Sequence, residues 1–303
     1  MSANLDNTLG ALYVSTIVSA TLYGVGCIQA WFYFHRYHAK DPWWLQALVG
    51  ILWVLDTCQQ AVLSACVYRY LVTFHDTADI RAVLVNTLII EIFFSNFIAI
   101  FVQQFYCWRI YRLSKSWVLA IFLAAVAWAS FASLMVYCAR SLRFGTFVEL
   151  AEISTLSKAC NILAAAADVL LSIGMILVLN MSKTGFRRST DMINRLMIFS
   201  FNTGLPTAFC AIMACIFISV LPNTFWYIFF FLQMGRLYTN SFMVTLNSRQ
   251  YIRSMSDPDG MQESYSLPNR SPAVNSVPSV GFVSPTALFT TIISSSVATC
   301  HKD

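Results

Sequence analysis

The sequence predicts an all-α, polytopic membrane protein with seven transmembrane helices, its N-terminus outside and its C-terminus cytoplasmic. Three observations predict the class. The 303-residue chain is 58% hydrophobic and only 11% charged, with a mean hydropathy of +0.64; soluble domains carry roughly 25% charged residues. Several separate stretches approach the roughly 20 apolar residues needed to cross a bilayer. These runs far exceed strand length and show no period-two alternation, so the helix, which satisfies its backbone polar groups within one segment, is the spanning structure.

Taken in order, the first span is read at about Ala11 to Phe34. No Lys or Arg precedes it and its apolar run is too long for a signal h-region, so it is expected to stay in the membrane. The second, Leu45 to Tyr68, carries Asp56, Gln59 and Gln60. The third, Val83 to Cys107, holds Glu91, Asn96, Gln103 and Gln104. The fourth, Trp117 to Tyr137, has no charge, and the fifth, Ala159 to Met181, has Asp168 alone. The sixth, Leu196 to Val220, contains Asn202, Thr203 and Pro206. The seventh, Phe225 to Leu246, surrounds Arg236 with Asn240 and Ser241.

Orientation follows from the basic residues of the short loops. Arg36 and Lys40, then Arg109, Arg112 and Lys115, then Lys183, Arg187, Arg188 and Arg195, then Arg249 and Arg253, all fall on one side. The other side has Arg69, Arg81, Arg140, Arg143 and Lys158, offset by Asp6, Asp76, Asp79, Glu149 and Glu152. The positive-inside rule makes the first side cytoplasmic. Trp31, Trp43, Trp44, Trp108 and Trp117 bracket the first and third loops, as an interfacial aromatic belt does. The net charge of +5 therefore reports topology, and no nucleic-acid partner is expected.

The chain divides into a transmembrane domain, residues 1–253, and a Ser/Pro-rich tail, residues 254–303, expected to be disordered for want of apolar surface. Ser271 and Ser284 precede prolines there and are candidate phosphorylation sites beside a basic juxtamembrane segment. Asn269 fits a glycosylation sequon but is expected on the cytoplasmic side, and Cys300 lacks the aliphatic neighbours of a prenylation signal.

No catalytic site, metal or cofactor is expected. His35, His38, His75 and His301 all lie in loops or the tail, which removes an intramembrane zinc site and a Ser/His dyad. The seventh span has no lysine for a retinal Schiff base, and no GxxxxGK[ST] loop is present. Cys27, Cys58, Cys210 and Cys215 sit within spans as small hydrophobes. Cys138 and Cys160 fall near the outer face at the two ends of the fourth loop, where a bridge is conceivable, and Cys107 neighbours basic Arg109 at the inner face.

What remains inside the membrane is Asp56, Glu91, Asp168 and Arg236. A charge at the bilayer centre costs on the order of 2.5 to 3.5 kcal/mol, so each needs a partner or a task. Counted from the cytoplasmic edge at about 1.5 Å per residue, Arg236, Asp56, Asp168 and Glu91 lie about 15, 17, 20 and 24 Å deep. Asp56 matches Arg236 best, and in a ring of helices taken in chain order the second and seventh are close. Asp168 is the second choice. Arg236, Asn240 and Asn247 are spaced by four and seven, so they share one helix face. Lys183, Arg187 and Arg188 form the densest basic cluster between spans, a candidate contact for anionic lipid or an acidic cytoplasmic partner.

"WVLDTCQQ" in the second span, "KTGFRRSTDMINRLMIFSFNTGLPTA" leading into the sixth and "LYTNSFMVTLNSR" closing the seventh together resemble a fungal, chiefly basidiomycete, membrane family known as domain of unknown function 6534. The resemblance extends to about Arg253. It implies membership in that family and carries no established activity, ligand or catalytic residue. Arg236 stands just before the Asn-Ser and Leu-Asn-x-Arg elements that carry the likeness.

From the residues, three functions stay open. A receptor- or sensor-like protein fits seven helices, basic inner loops, a phosphorylatable tail and a signalling partner at the fifth loop; "YCWRIYR" and "LYTNSF" lack the Asp-Arg-Tyr and Asn-Pro-x-x-Tyr elements of rhodopsin-like receptors. A small-solute transporter or channel fits the buried carboxylates, although Pro206 is the one proline well inside a span. A structural or lipid-organising protein, with membrane lipids as its partners, is the third.

Overall fold

In the computed structural model, residues 9–37, 41–73, 86–143, 153–181, 206–221 and 224–249 are described. Among them are seven α-helices and no strand. They are α1 (Leu9–Tyr37), α2 (Trp43–Tyr68), α3 (Asn86–Ser114), α4 (Trp117–Ser141), α5 (Ser154–Met181), α6 (Pro206–Val220) and α7 (Trp226–Asn247). The first five are long and apolar enough to cross a membrane, and α2 continues into a π-helical extension, Arg69–Thr73. Part of the sixth predicted span, the whole fifth loop with Lys183, Arg187 and Arg188, and the tail lie outside the described residues.

The seventh predicted span is a helix of 22 residues, yet it is not among those apolar enough to cross on composition. The reason is its place in the bundle. Every residue from Ile228 to Leu246 except Ser241 is buried, so α7 faces protein on nearly all sides and its polar residues find partners there. The outer helices divide differently. On α4, Val118, Ile121, Phe122 and Trp128 are exposed, while Ala120, Leu123 and Ala127 face inward. Such a surface suits lipid and would be an aggregation hazard in water.

Helix directions follow from paired residues. Gln233, Asn240 and Asn247 of α7 bond to Ser15, Leu22 and Gln29 of α1, so the two helices run parallel in a common seven-residue register. Ser19 with Gln60, and Tyr23 with Thr57, make α2 antiparallel to α1. Gln103 with Tyr238 and Tyr106 with Thr245 make α3 parallel to α7. The main core cluster is built where α1, α2, α3 and α7 meet, around Tyr33, Leu52, Ile98 and Phe242.

The ends of the bundle repay the aromatic reading. Trp44 meets Trp108 edge to face at 4.8 Å, while Trp43 and Trp117 stay exposed. Cys138 and Cys160 are free thiols buried in one small cluster with Ile89 and Tyr137; the structure contains no bridge between them. Cys107 is free and buried as well.

Candidate functional site

The polar groups that the helices bury converge on α7. Arg236 is fully buried, and each guanidinium nitrogen has a partner. Nε donates to Ser19 Oγ on α1 at 3.0 Å. Nη2 donates to Gln60 Oε1 on α2 at 3.0 Å, and Nη1 to the Asp56 backbone oxygen at 2.7 Å. Nη1 also closes an ion pair with Asp56 Oδ1. The Tyr23 ring covers the group, its centroid 5.5 Å from Cζ. Asp56 and Gln60 lie four apart on α2, one turn, so a single helix face supplies both acceptors.

Gly235 makes that approach geometrically feasible. A Cβ on it would stand 2.7 Å from the Gln59 amide and 2.9 Å from Ser95 Oγ, closer than atoms pack. The absent side chain lets α2 and α3 press onto α7 beside the arginine. In that space Gln59 Nε2 donates to Glu91 Oε1, and both residues are fully buried.

Asp168 on α5 belongs to a separate cluster. Tyr238 OH donates to its Oδ2 at 2.6 Å and Gln103 Nε2 to its Oδ1 at 3.0 Å. Beside it is a cavity of about 30 Å³, lined in part by Tyr106, Ser172, Thr207 and Ser241. That is room for ordered water beside several polar side chains, in a lining that is otherwise mostly apolar. A second cavity of about 30 Å³, mostly apolar, lies among Ile89, Tyr137, Tyr227 and Phe231.

The seam between α1 and α7 adds three amides at heptad spacing. Gln233 donates to the carbonyl of Ser15 at 3.1 Å, Asn240 to that of Leu22 at 2.9 Å, and Asn247 to that of Gln29 at 2.9 Å. In each, the amide's own oxygen is buried without a hydrogen-bond partner among the described residues. At the Asn247 end, Arg249 grips Asp41 through both terminal nitrogens, at 3.2 and 2.6 Å, and lies over Tyr37.

Of the residues singled out from sequence, the structure brings Asp56, Arg236 and Asn240 together around α1 and α7. Glu91 joins them through Gln59 and Gly235. Asp168 stands apart, with Tyr238 and Gln103, and does not contact Arg236. Sequence reasoning missed Gln233, Gly235, Tyr238, Ser19 and the Asp41–Arg249 clamp. Gln233 had a readable signal, since it precedes Asn240 by the same seven residues that separate Asn240 from Asn247. Tyr238 had none, because a tyrosine in a span reads as packing.

Chemically, the arrangement holds a guanidinium charge dry, neutralises it with one carboxylate and ties three helices to it. Residues 164–251 match the model of a family of unknown function (DUF6534). The matched stretch contains Asp168, Gly235, Arg236 and Asn240, and so most of the spine on which this site is built. No curated protein and no solved structure matches the chain.

Proposed function

We propose that this multi-pass membrane protein crosses the bilayer seven times, N-terminus outside and tail cytoplasmic, and acts as a receptor- or sensor-like bundle without a catalytic site. The observation that carries the reading is the parallel register of α1 and α7 around a closed ion pair. If the five helices long and apolar enough to span all cross, α5 runs parallel to α1. If α6 did not cross, a spanning α7 would run against α1. It runs with it, so parity supports a crossing by the segment that ends in Pro206–Val220. The basic loops then point inward, where the fifth loop and tail would meet anionic lipid and a signalling partner.

A sensor reading is favoured over a structural one because a buried charge held by three helices is costly and couples their packing. Losing either partner would change how α1, α2 and α7 pack. The transporter reading keeps one observation in its favour: Glu91 and Asp168 have no ion-pair partner among the described residues. Reconstitution into proteoliposomes separates the two. Proton and sodium flux no greater than in empty vesicles is expected, and a flux that D168N abolishes would replace the sensor with a transporter.

A further inference from the structure

We infer that Glu91 is a proton-binding site, its carboxyl group held as a neutral acid that donates to the side-chain oxygen of Gln59. Both side chains are fully buried and share one hydrogen bond, from Gln59 Nε2 to Glu91 Oε1. Their other two oxygens, Glu91 Oε2 and Gln59 Oε1, are buried with no hydrogen-bond partner among the described residues. With an ionised carboxylate the two side chains therefore bury two acceptors that no hydrogen among the described residues reaches. Turning the amide over does not help, because its oxygen would then face Glu91 Oε1. One proton on Oε2, donated to Gln59 Oε1, would satisfy both atoms at once, in the cyclic pairing that a carboxylic acid makes with a primary amide.

Ionisable groups face the site from the helices packed around it. Arg236 faces Glu91 from α7 and Cys138 from α4, and Cys160 on α5 packs with Cys138. Asp56 lies one turn from Gln59 on α2. The guanidinium is already committed on all three nitrogens, to Ser19, Asp56 and Gln60. It has no uncommitted nitrogen to offer a second carboxylate.

The proton therefore has a structural consequence. Asp56, Gln59 and Gln60 occupy one face of α2, so the helix that holds Arg236 also holds Glu91. Releasing the proton creates an anion that competes with Asp56 for the guanidinium and pulls on the α2–α7 contact. The proton-loaded state is the one in which Arg236 stays with Asp56. This holds whether the protein senses or transports.

Infrared spectroscopy of the purified full chain at neutral pH tests the site. A protonated carboxyl carbonyl band is expected, lost in E91Q and retained in D168N. E91Q is also expected to melt within about 3 °C of the unsubstituted protein, the span of a minor stability change at this size, whereas E91A melts well below it. Absence of the band, its survival in E91Q, or an E91Q protein that fails to fold or melts as low as E91A would overturn the inference. Absence of the band from the unsubstituted protein overturns the inference without relying on E91Q, and its retention in D168N excludes Asp168 as its source.

Discussion

Arg236 holds Asp56 twice, through the carboxylate and through its backbone carbonyl. The side-chain half of that grip is a buried ion pair, and removing one partner of such a pair strands the other charge, at a cost on the order of 3 to 5 kcal/mol. R236L and D56L should each lower the melting temperature sharply. The double substitution should recover much of the loss, because no stranded charge remains. Thermal melts of the four proteins complete the cycle, and simply additive losses would mean that the two side chains are not coupled.

Gly235→Ala should be destabilising although alanine is the better helix former. The added Cβ would meet Gln59 at 2.7 Å and Ser95 at 2.9 Å, and overpacking of this kind typically costs about 1 to 3 kcal/mol. Gly26 supplies the comparison: its Cβ would find ordinary contacts at 3.6 Å and beyond, so G26A should melt close to the unsubstituted protein.

How far these features could be read in advance depends on which coordinate each one uses. Depth along a helix is legible, because rise per residue is fixed, and it was enough to match Arg236 with Asp56. Rotation about the helix axis is not, so nothing in the sequence says that Glu91 turns towards Gln59 or Asp168 towards Tyr238. The seventh helix shows a further limit. Its composition falls short of a lipid-facing span because it is enclosed by the other helices, and hydropathy measures a segment as though lipid were its only neighbour. The α1–α7 seam was half legible: the spacing of Arg236, Asn240 and Asn247 gave the shared face, but not the helix it faces.

Neutralising Lys183, Arg187 and Arg188 together to glutamine should weaken retention of anionic lipid by about 1 kcal/mol per charge removed. Native mass spectrometry of the full chain, purified with mixed anionic and zwitterionic lipid, reads the loss directly. Unchanged lipid occupancy would leave the fifth loop as a connector. The same three charges lie on the side proposed to be cytoplasmic, so a C-terminal tag protected in inside-out vesicles would overturn the orientation and this prediction with it.

Asp41 and Arg249 offer a contrast with the central pair. Arg249 is about 36% exposed, and a partly solvated pair is worth roughly 0 to 1 kcal/mol. D41N should therefore shift the melting temperature little, and less still at high salt, where screening has already removed most of the attraction. A loss comparable to that of D56L would show that the clamp is as dry as the core.

N240D tests the charge balance of the site at nearly unchanged side-chain volume, with N240A as its reference. The Asn240 amide nitrogen donates to the backbone oxygens of Leu22 and Arg236. Both oxygens already belong to helices, so deleting the bond leaves little unsatisfied. N240A should cost roughly 0.6 kcal/mol, the average for an interhelical bond of this type. N240D is a different matter. Asn240 Oδ1 and Asp56 Oδ2 both lie within 3.7 Å of a Cβ built on Gly26, so an aspartate there sets a second carboxylate beside the one that neutralises Arg236. A single guanidinium cannot balance both, and N240D should melt far below N240A. D56N in the N240D background should restore stability, since one anion again faces one cation. If N240D and N240A melt alike, the new carboxyl group is protonated or solvated, and the space around Gly26 is wetter than the packing of α1 on α7 indicates.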